Sequence, residues 1–329
     1  MVLVTGATGF IGSHFVVRFL EEGKEVRALH RSNEKKAVVR RLLEWKNLGH
    51  LYTKIHWCKA TLQDPVGLND ALQGVDTVVH AAAMVSFKYK DQDKLYRTNV
   101  EGTTNLINAC LEQAVLPKLL FISSTSALDI PHLPKPERDQ PVKVKDHYSF
   151  YGLTKFLGEL EVFRGKEEGM KVACINPGVI TGEAHGKAEI NGLFALAQKN
   201  FPWYSGAIHG FTHIDDVLEA CSVLMEEWPN GQHPIISENL NFKEVQTYIS
   251  SILNKRAPKW KLNKKFAWFM YALGKGLYYI GLDLGLSRES IRTATHDSPV
   301  ESAPIFDSIQ KRDPLTGIKA HALFIGALK

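Results

Sequence analysis

The chain is poor in cysteine and carries no strong excess of either charge. Its 329 residues include four cysteines, Cys58, Cys110, Cys174 and Cys221, with no Cys-x-x-Cys spacing and no histidine at metal-ligand distance from any of them. That excludes a disulfide scaffold and a zinc ribbon, and predicts buried thiols in a reducing compartment. Forty basic against 35 acidic residues leave a net charge of +5, too mild for a nucleic-acid partner although no obstacle to an anionic ligand. A bilayer-length apolar run is also missing. The best candidate, Phe266 to Leu286, is interrupted by Lys275, Asp283 and four glycines, so no membrane span is expected. There is no internal repeat and no low-complexity linker. Met1 runs straight into the apolar Val2-Leu3-Val4 with no leader, which predicts a cytoplasmic protein.

What is present is an alternation of short apolar runs with amphipathic stretches of helical length. Val2–Thr5, Glu25–His30, Lys54–Cys58, Asp76–His80, Lys118–Ser123 and Val172–Asn176 read as strands. Between the first two, Ile11, Phe15, Val16, Phe19 and Leu20 recur at helical spacing and stop at Gly23. Asn99–Gln113 and Tyr151–Gly165 are the clearest later helices, and Pro131 to Asp146, with four prolines, reads as a loop. Such alternation predicts an α/β fold, a doubly wound parallel sheet covered on both faces, with ligands at the carboxyl ends of its strands.

At the first strand–helix junction lies Thr5-Gly6-Ala7-Thr8-Gly9-Phe10-Ile11-Gly12. Gly6 permits a tight turn, Gly9 lets backbone approach a pyrophosphate, and Gly12 lets the helix pack on the strand; the phosphates then meet free amides at the helix N-terminus. Turn formation alone would account for only one of the three. The second strand ends Leu29-His30-Arg31-Ser32, followed by Lys35 and Lys36, with no acid in the place that would bind ribose hydroxyls and select NAD. Arg31 can fork onto a 2′-phosphate and Ser32 can donate, so NADP(H) is favoured over NAD(H), and Arg40 and Arg41 add to the same basic group. The alternative is that Arg31 to Lys46 is simply a solvated basic helix face.

Tyr151 and Lys155 stand four apart on one predicted helix and share a face. A phenol titrates near pH 10, and an ammonium one turn away stabilises phenolate, which makes tyrosine usable as a general acid/base. Ser123, Ser124 and Thr125 close an apolar strand with hydroxyls that can bond a carbonyl oxygen. Asn99 starts a helix shortly after His80-Ala81-Ala82-Ala83 and is read as holding a water or bending that helix.

TGATGFIG (5–12), HAAA (80–83), NVEGTTNL (99–106), ISSTS (122–126), YGLTK (151–155), NPG (176–178), THIDDV (212–217) and FDSIQK (306–311) follow one another in the chain. In that order they resemble the extended short-chain dehydrogenase/reductase family, within the NAD-dependent epimerase/dehydratase superfamily. The resemblance implies a Rossmann domain and a nicotinamide cofactor. It implies catalysis by Ser124, Tyr151 and Lys155 with Asn99 in support. Cofactor contacts are implied from Thr5, Gly6, Thr8, Gly9, Phe10, Ile11, Gly12, His30, Arg31, Ser32, Lys35, Thr61, Leu62, Ala81, Ala82, Ala83, Pro177, Gly178 and Val179, besides Tyr151 and Lys155.

Departures narrow the branch. Ala60-Thr61-Leu62 replaces the usual Gly-Asp-Leu, Ser124-Thr125 replaces the acid pair of dehydratases, and His209-Gly210-Phe211 replaces the Arg-Asp-aromatic segment of nucleotide-sugar epimerases. What is left is similar to dihydroflavonol reductases and 3β-hydroxysteroid dehydrogenases, whose substrates are apolar ketones or alcohols. Val85, Phe87, Ser124, Thr125 and Tyr204 are the expected substrate pocket. Phe201 and Trp203, and the run Phe266, Trp268, Phe269, Tyr271, Tyr278 and Tyr279, read as further pocket, as ordinary core or as an amphipathic surface on a membrane. Residues 1–178 and 205–239 are expected to form the NADP-binding domain, and 179–204 with 240–329 a smaller, discontinuous substrate lobe. The expected function is hydride transfer between NADP(H) and a carbonyl or alcohol of a small apolar molecule. The alternatives are an NAD-dependent nucleotide-sugar epimerase and a non-catalytic NADP-binding protein. A homodimer is the partner such families imply.

Overall fold

A computed structural model describes residues 1–128, 149–184, 190–279 and 287–327, without the side chains of 274–279, 288 and 289. The Pro131 to Asp146 loop, Asp283 and the rings of Tyr278 and Tyr279 lie outside the described residues. From the N-terminus the order is β1 (Val2–Thr5), α1 (Phe10–Glu21), β2 (Val26–His30), α2 (Lys36–Trp45), β3 (Ile55–Lys59), α3 (Pro65–Leu72), β4 (Thr77–His80), α4 (Gln92–Tyr96), α5 (Gly102–Leu111), β5 (Lys118–Ile122), α6 (Phe150–Glu167) and β6 (Val172–Pro177). There follow β7 (Val179–Thr181), α7 (Ile190–Gln198), β8 (Trp203–Tyr204), β9 (Ile208–His213), α8 (Ile214–Glu227), β10 (Gln232–Ile235), β11 (Glu238–Asn241), α9 (Phe242–Ile252), β12 (Trp260–Lys261), α10 (Lys264–Tyr279), α11 (Arg288–Thr295) and α12 (Pro314–Phe324).

Seven strands form one sheet in the order β10-β6-β5-β4-β1-β2-β3, every pair parallel. The expected α/β architecture is therefore present, and all six predicted strands pair within a residue or two of their expected ends. Alternate side chains of β1 divide between two cores, as a two-residue period requires: Val2 and Val4 face one, Leu3 the other. The first core lies under α1, α2 and α8, the second under α3, α5 and α6. Because β2 and β4 flank β1 on opposite sides, the chain reverses its winding there. A crevice opens at the carboxyl ends of β1 and β4, where a doubly wound sheet holds its ligand.

The seventh strand, β10, is not legible as a strand. It reads Gln-His-Pro-Ile, and Pro234 is tolerated because β10 is an edge strand whose partner is β6 alone. Beyond β6 a second sheet of three strands, β11-β9-β7, packs on α7, α9 and α12 through Phe194, Phe211, Val245, Ile249 and Ile318. Of residues 205–239, α8 and β10 join the large sheet while β9 joins the small one. β8 and β12 make a separate two-stranded ribbon.

Candidate active site

The glycine loop closes the crevice from one side. Gly6 adopts φ +66°, and its carbonyl accepts from the Gly9 amide at 2.8 Å. A Cβ on Gly12 would lie 2.2 Å from the Gly6 oxygen, and one on Gly6 would lie 2.7 Å from the Ala82 backbone. The loop is thus pressed between the first turn of α1 and the Ala81-Ala82-Ala83 strand end, and only glycine fits. No side chain caps α1, so its first amides face outward. A backbone cradle at the N-terminus of a twelve-residue helix is the donor set a dinucleotide pyrophosphate requires, and these residues fit one.

Behind the loop, His80 fastens the two strand ends together. Its Nδ1 meets Thr5 Oγ1 at 2.7 Å and its Nε2 meets Thr103 Oγ1 at 3.0 Å. Thr103 donates to the Asn99 carbonyl at 2.7 Å, so it can only accept from Nε2–H, and Thr5 must donate to Nδ1 while accepting from the Ala82 amide. A neutral imidazole protonated at Nε2 satisfies every one of these bonds. Burial, and next the Lys155 charge, push the His80 pKa down to about 3.

At the end of β2 the expected phosphate group is only partly assembled. Arg31 and Lys35 are exposed, but Lys36 lies over the Trp57 ring at 5.2 Å, Arg40 over Tyr52 at 4.4 Å and Arg41 over Phe324 at 4.9 Å. Arg41 also donates to the Phe324 carbonyl. Three of the five cations thus rest on aromatic rings, and Lys36 stays close enough to the strand end for its charge to lower the His30 pKa after burial has done so. The Glu34 carboxyl, two residues beyond Ser32, is held low by its own backbone amide and then by the Ser32 side chain. His30 is buried, with Nδ1 3.3 Å from the Ser32 carbonyl. Thr61 accepts from the Gln63 amide at 3.3 Å, and Leu62 packs against Gly102.

The catalytic side is built on α6. Ser149 caps the helix by accepting from the Gly152 amide at 2.7 Å. A Cβ on Gly152 would sit 2.4 Å from the Ser126 carbonyl, so the start of α6 rests directly on the turn Ser124–Ser126. That contact puts Tyr151 beside the predicted hydroxyls. Ser124 Oγ accepts from the Ser126 amide at 3.1 Å, leaving its hydroxyl proton for another acceptor. Tyr151 is buried, and Phe87 meets its ring edge-to-face at 6.1 Å. Lys155 is buried one turn on; its Nζ donates to the Ile122 carbonyl at 2.6 Å and lies 4.2 Å from the Phe121 ring centre. Burial lowers the ammonium pKa to about 8, against the raising influence of Cys174 and Glu159.

Asn99 sits in a π-turn, Arg97–Glu101, between α4 and α5. Its side chain bonds to two neighbouring segments. Oδ1 accepts from the Met84 amide at 2.7 Å, and Nδ2 donates to the Met84 carbonyl and to Thr154 Oγ1, both at 3.0 Å. Asn99 therefore clamps the segment after β4 to the Tyr151 helix.

Glu159 is the residue the motif reading missed. It is wholly buried one turn beyond Lys155, accepting from Asn176 Nδ2 at 2.6 Å and from Gln232 of β10. Asn176 also donates to the Ser124 carbonyl at 3.1 Å, so the carboxylate and the serine turn share one amide. Burial raises the Glu159 pKa, while Ser123, Gln232, Asn176 and Lys155 hold it down. Spacing alone could have found it, since positions 151, 155 and 159 lie on one helix face.

On the far side, a Cβ on Gly178 would lie 2.2 Å from the Gly210 carbonyl, and the Gly178 amide donates to Thr212 at 3.1 Å. Pro177, Gly178 and Val179 thus pass from β6 to β7 along the second sheet. Of the expected pocket, Phe87 reaches Tyr151, Val85 is exposed, Thr125 opens the serine turn, and the Tyr204 ring lies under Lys243 at 5.0 Å.

Residues 2–238 match the family described as "NAD dependent epimerase/dehydratase family". A putative dihydroflavonol 4-reductase of Synechocystis is 27% identical over 281 residues, covering 80% of this chain and 77% of that protein. Tetraketide alpha-pyrone reductase 2 of Arabidopsis thaliana is 30% identical over 239 residues, covering 68% and 74%. Among solved structures, that of gox2253 superposes with a TM-score of 0.78 and 26% identity, covering 100% of this chain and 99% of the other. The UDP-glucuronic acid 4-epimerase of Bacillus cereus, in complex with UDP-glucuronic acid and NAD, shares the fold with a TM-score of 0.72 at 19% identity over 99% and 98%.

Proposed function

The chain belongs to the NAD dependent epimerase/dehydratase family, and from that premise we propose that it is an NADP(H)-dependent oxidoreductase acting on the carbonyl or alcohol of a small apolar substrate. The observation that carries this reading is the buried Tyr151–Lys155 pair docked through Gly152 on the serine turn. When bound, the nicotinamide supplies or accepts the hydride. The Tyr151 phenol gives the carbonyl oxygen its proton, and the Ser124 hydroxyl bonds the same oxygen. Lys155, held by the Ile122 carbonyl, places a positive charge beside the phenol and eases its ionisation. Asn99 and His80 act through others, fixing α6 and the glycine loop. Residues 1–178 with 205–239 hold the cofactor in this reading, and 179–204 with 240–329 shape the substrate lobe. Arg31 selects the 2′-phosphate.

The reductase names of the similar proteins support hydride transfer as the net reaction. Serine and threonine at 124–125, in place of an acid pair, leave dehydration without its catalytic acids. The test is Tyr151→Phe, assayed with NADPH and a panel of apolar ketones. Turnover falls by about 10²-fold or more, while NADPH quenching of intrinsic fluorescence is retained. Full activity in the variant refutes the assignment. A large thermal shift by UDP, with no consumption of reduced nicotinamide, replaces it with an epimerase.

A further inference from the structure

A surface remote from the glycine loop joins exposed aromatic rings to unpaired cations. On α10, Phe266, Phe269 and Leu273 recur at i, i+3 and i+7, so they share one helix face. Phe269 is 62% exposed, Phe266 and Leu273 are exposed in part, and Ala267 turns inward. The apolar surface continues onto the β8–β12 ribbon, where Trp260 is 57% exposed. Trp203 binds the two together, its ring 5.4 Å from Trp260, 5.4 Å from Phe201 and 5.8 Å from Phe266. Along the same stretch, Lys255, Arg256, Lys259, Lys261, Lys264 and Lys265 are all exposed. Residues 254–265 contain no acid, and none of these six cations forms an ion pair with a described residue.

We propose that this surface seats the protein on an anionic lipid bilayer, with the α10 face and Trp260 entering the interfacial layer and the six cations meeting the headgroups. Tryptophan and phenylalanine beside lysine and arginine are what a bilayer interface selects. A contiguous row of cations near the membrane plane draws anionic lipid over about one Debye length. A second copy of the chain is a poor occupant, since a two-fold contact would set six cations against six. A nucleic acid asks for a basic groove along which bases stack, whereas here the exposed apolar residues are split between one face of α10 and Trp260 of the ribbon. Nothing in this inference depends on the reaction at Tyr151.

The experiment is co-sedimentation of the full chain with phosphatidylcholine vesicles, with and without phosphatidylserine. Binding to the phosphatidylserine vesicles is expected at low salt, about tenfold weaker to phosphatidylcholine alone, and released at high salt. The pair K259E/K261E and the pair W260S/F269S each reduce it about tenfold; K259E/K261E melts like the parent chain because both lysines are exposed, and W260S/F269S, which also loses the Trp260–Trp203 ring contact, is read below its own melting temperature. Failure to bind the phosphatidylserine vesicles overturns the proposal. So does undiminished binding by W260S/F269S. Self-association abolished by F269K assigns the surface to a second copy, and tight capture of a single-stranded oligonucleotide assigns it to nucleic acid; either outcome also overturns it.

Discussion

Lys155 and Glu159 lie one turn apart on α6, both buried, and no ion pair joins them. The lysine gives its bond to the Ile122 carbonyl at 2.6 Å, and the glutamate takes the Asn176 amide at 2.6 Å. They act on each other through the interior: the carboxylate raises the ammonium pKa and the ammonium lowers the carboxyl's. Titratable groups that share this interior with them include Tyr151 on the same helix face, Cys174 on β6, which raises the Lys155 pKa, and His80 on β4, whose pKa the Lys155 charge lowers.

Glu159→Gln keeps the shape but removes the charge that supports Lys155. With a pKa of about 8, Lys155 is protonated below that pH and loses its hold on phenolate above it. The variant lowers that pKa, so the alkaline limb of the kcat/KM profile moves to lower pH. A limb that stays in place refutes the coupling.

His80 ties acid stability to the cofactor loop. Unfolded, it titrates near 6.5; folded, near 3. Between those values the unfolded chain binds the extra proton, so stability is lost as pH falls through 6.5 towards 3, at about 1.4 kcal/mol per unit from this group. His80→Gln flattens that part of the acid limb in calorimetry, while losing about 1–3 kcal/mol at neutral pH from broken buried hydrogen bonds. A variant with the wild-type acid slope shows that His80 does not set it.

Gly12→Ala drives a methyl into the Gly6 carbonyl, 2.2 Å away, where both partners are backbone. NADPH binding falls at least about 100-fold and stability by about 1–3 kcal/mol. Gly192→Ala on α7 is the control, since nothing lies within 4 Å of the added Cβ; it is neutral or stabilising by about 0.5–1 kcal/mol. Isothermal titration and thermal melting read both.

Arg31→Ala weakens NADPH by about 10- to 100-fold, the range of one or two charge-assisted bonds, and leaves NADH nearly unchanged. Lys36→Ala, whose ammonium is spent on Trp57, changes neither. Equal loss of both cofactors in Arg31→Ala assigns the arginine to a contact other than the 2′-phosphate.

Periodicity was enough to place six strands, the helices between them and the glycine loop, because period-2 and period-3.6 burial and steric glycine requirements are local properties of the chain. The Tyr151–Lys155 spacing is legible for the same reason. What folding alone decided is long-range. The strand β10 exists because its backbone pairs with β6 while Gln232 and His233 find side-chain partners at Glu159 on α6 and at the Cys174 carbonyl, and its polar sequence announces none of this. Likewise the sequence marks Arg40 and Arg41 as basic residues near the phosphate position, but not that Tyr52 and, far along the chain, Phe324 lie beneath them. Asn99 reads as a polar residue at a helix start, and its bonds to Met84 and Thr154 are visible only in the fold. A side chain's type and spacing state what it can bond. Which bond it makes is set by partners that only the completed sheet brings within three ångströms or so, where the cost of burying a polar group unpaired leaves it no other choice.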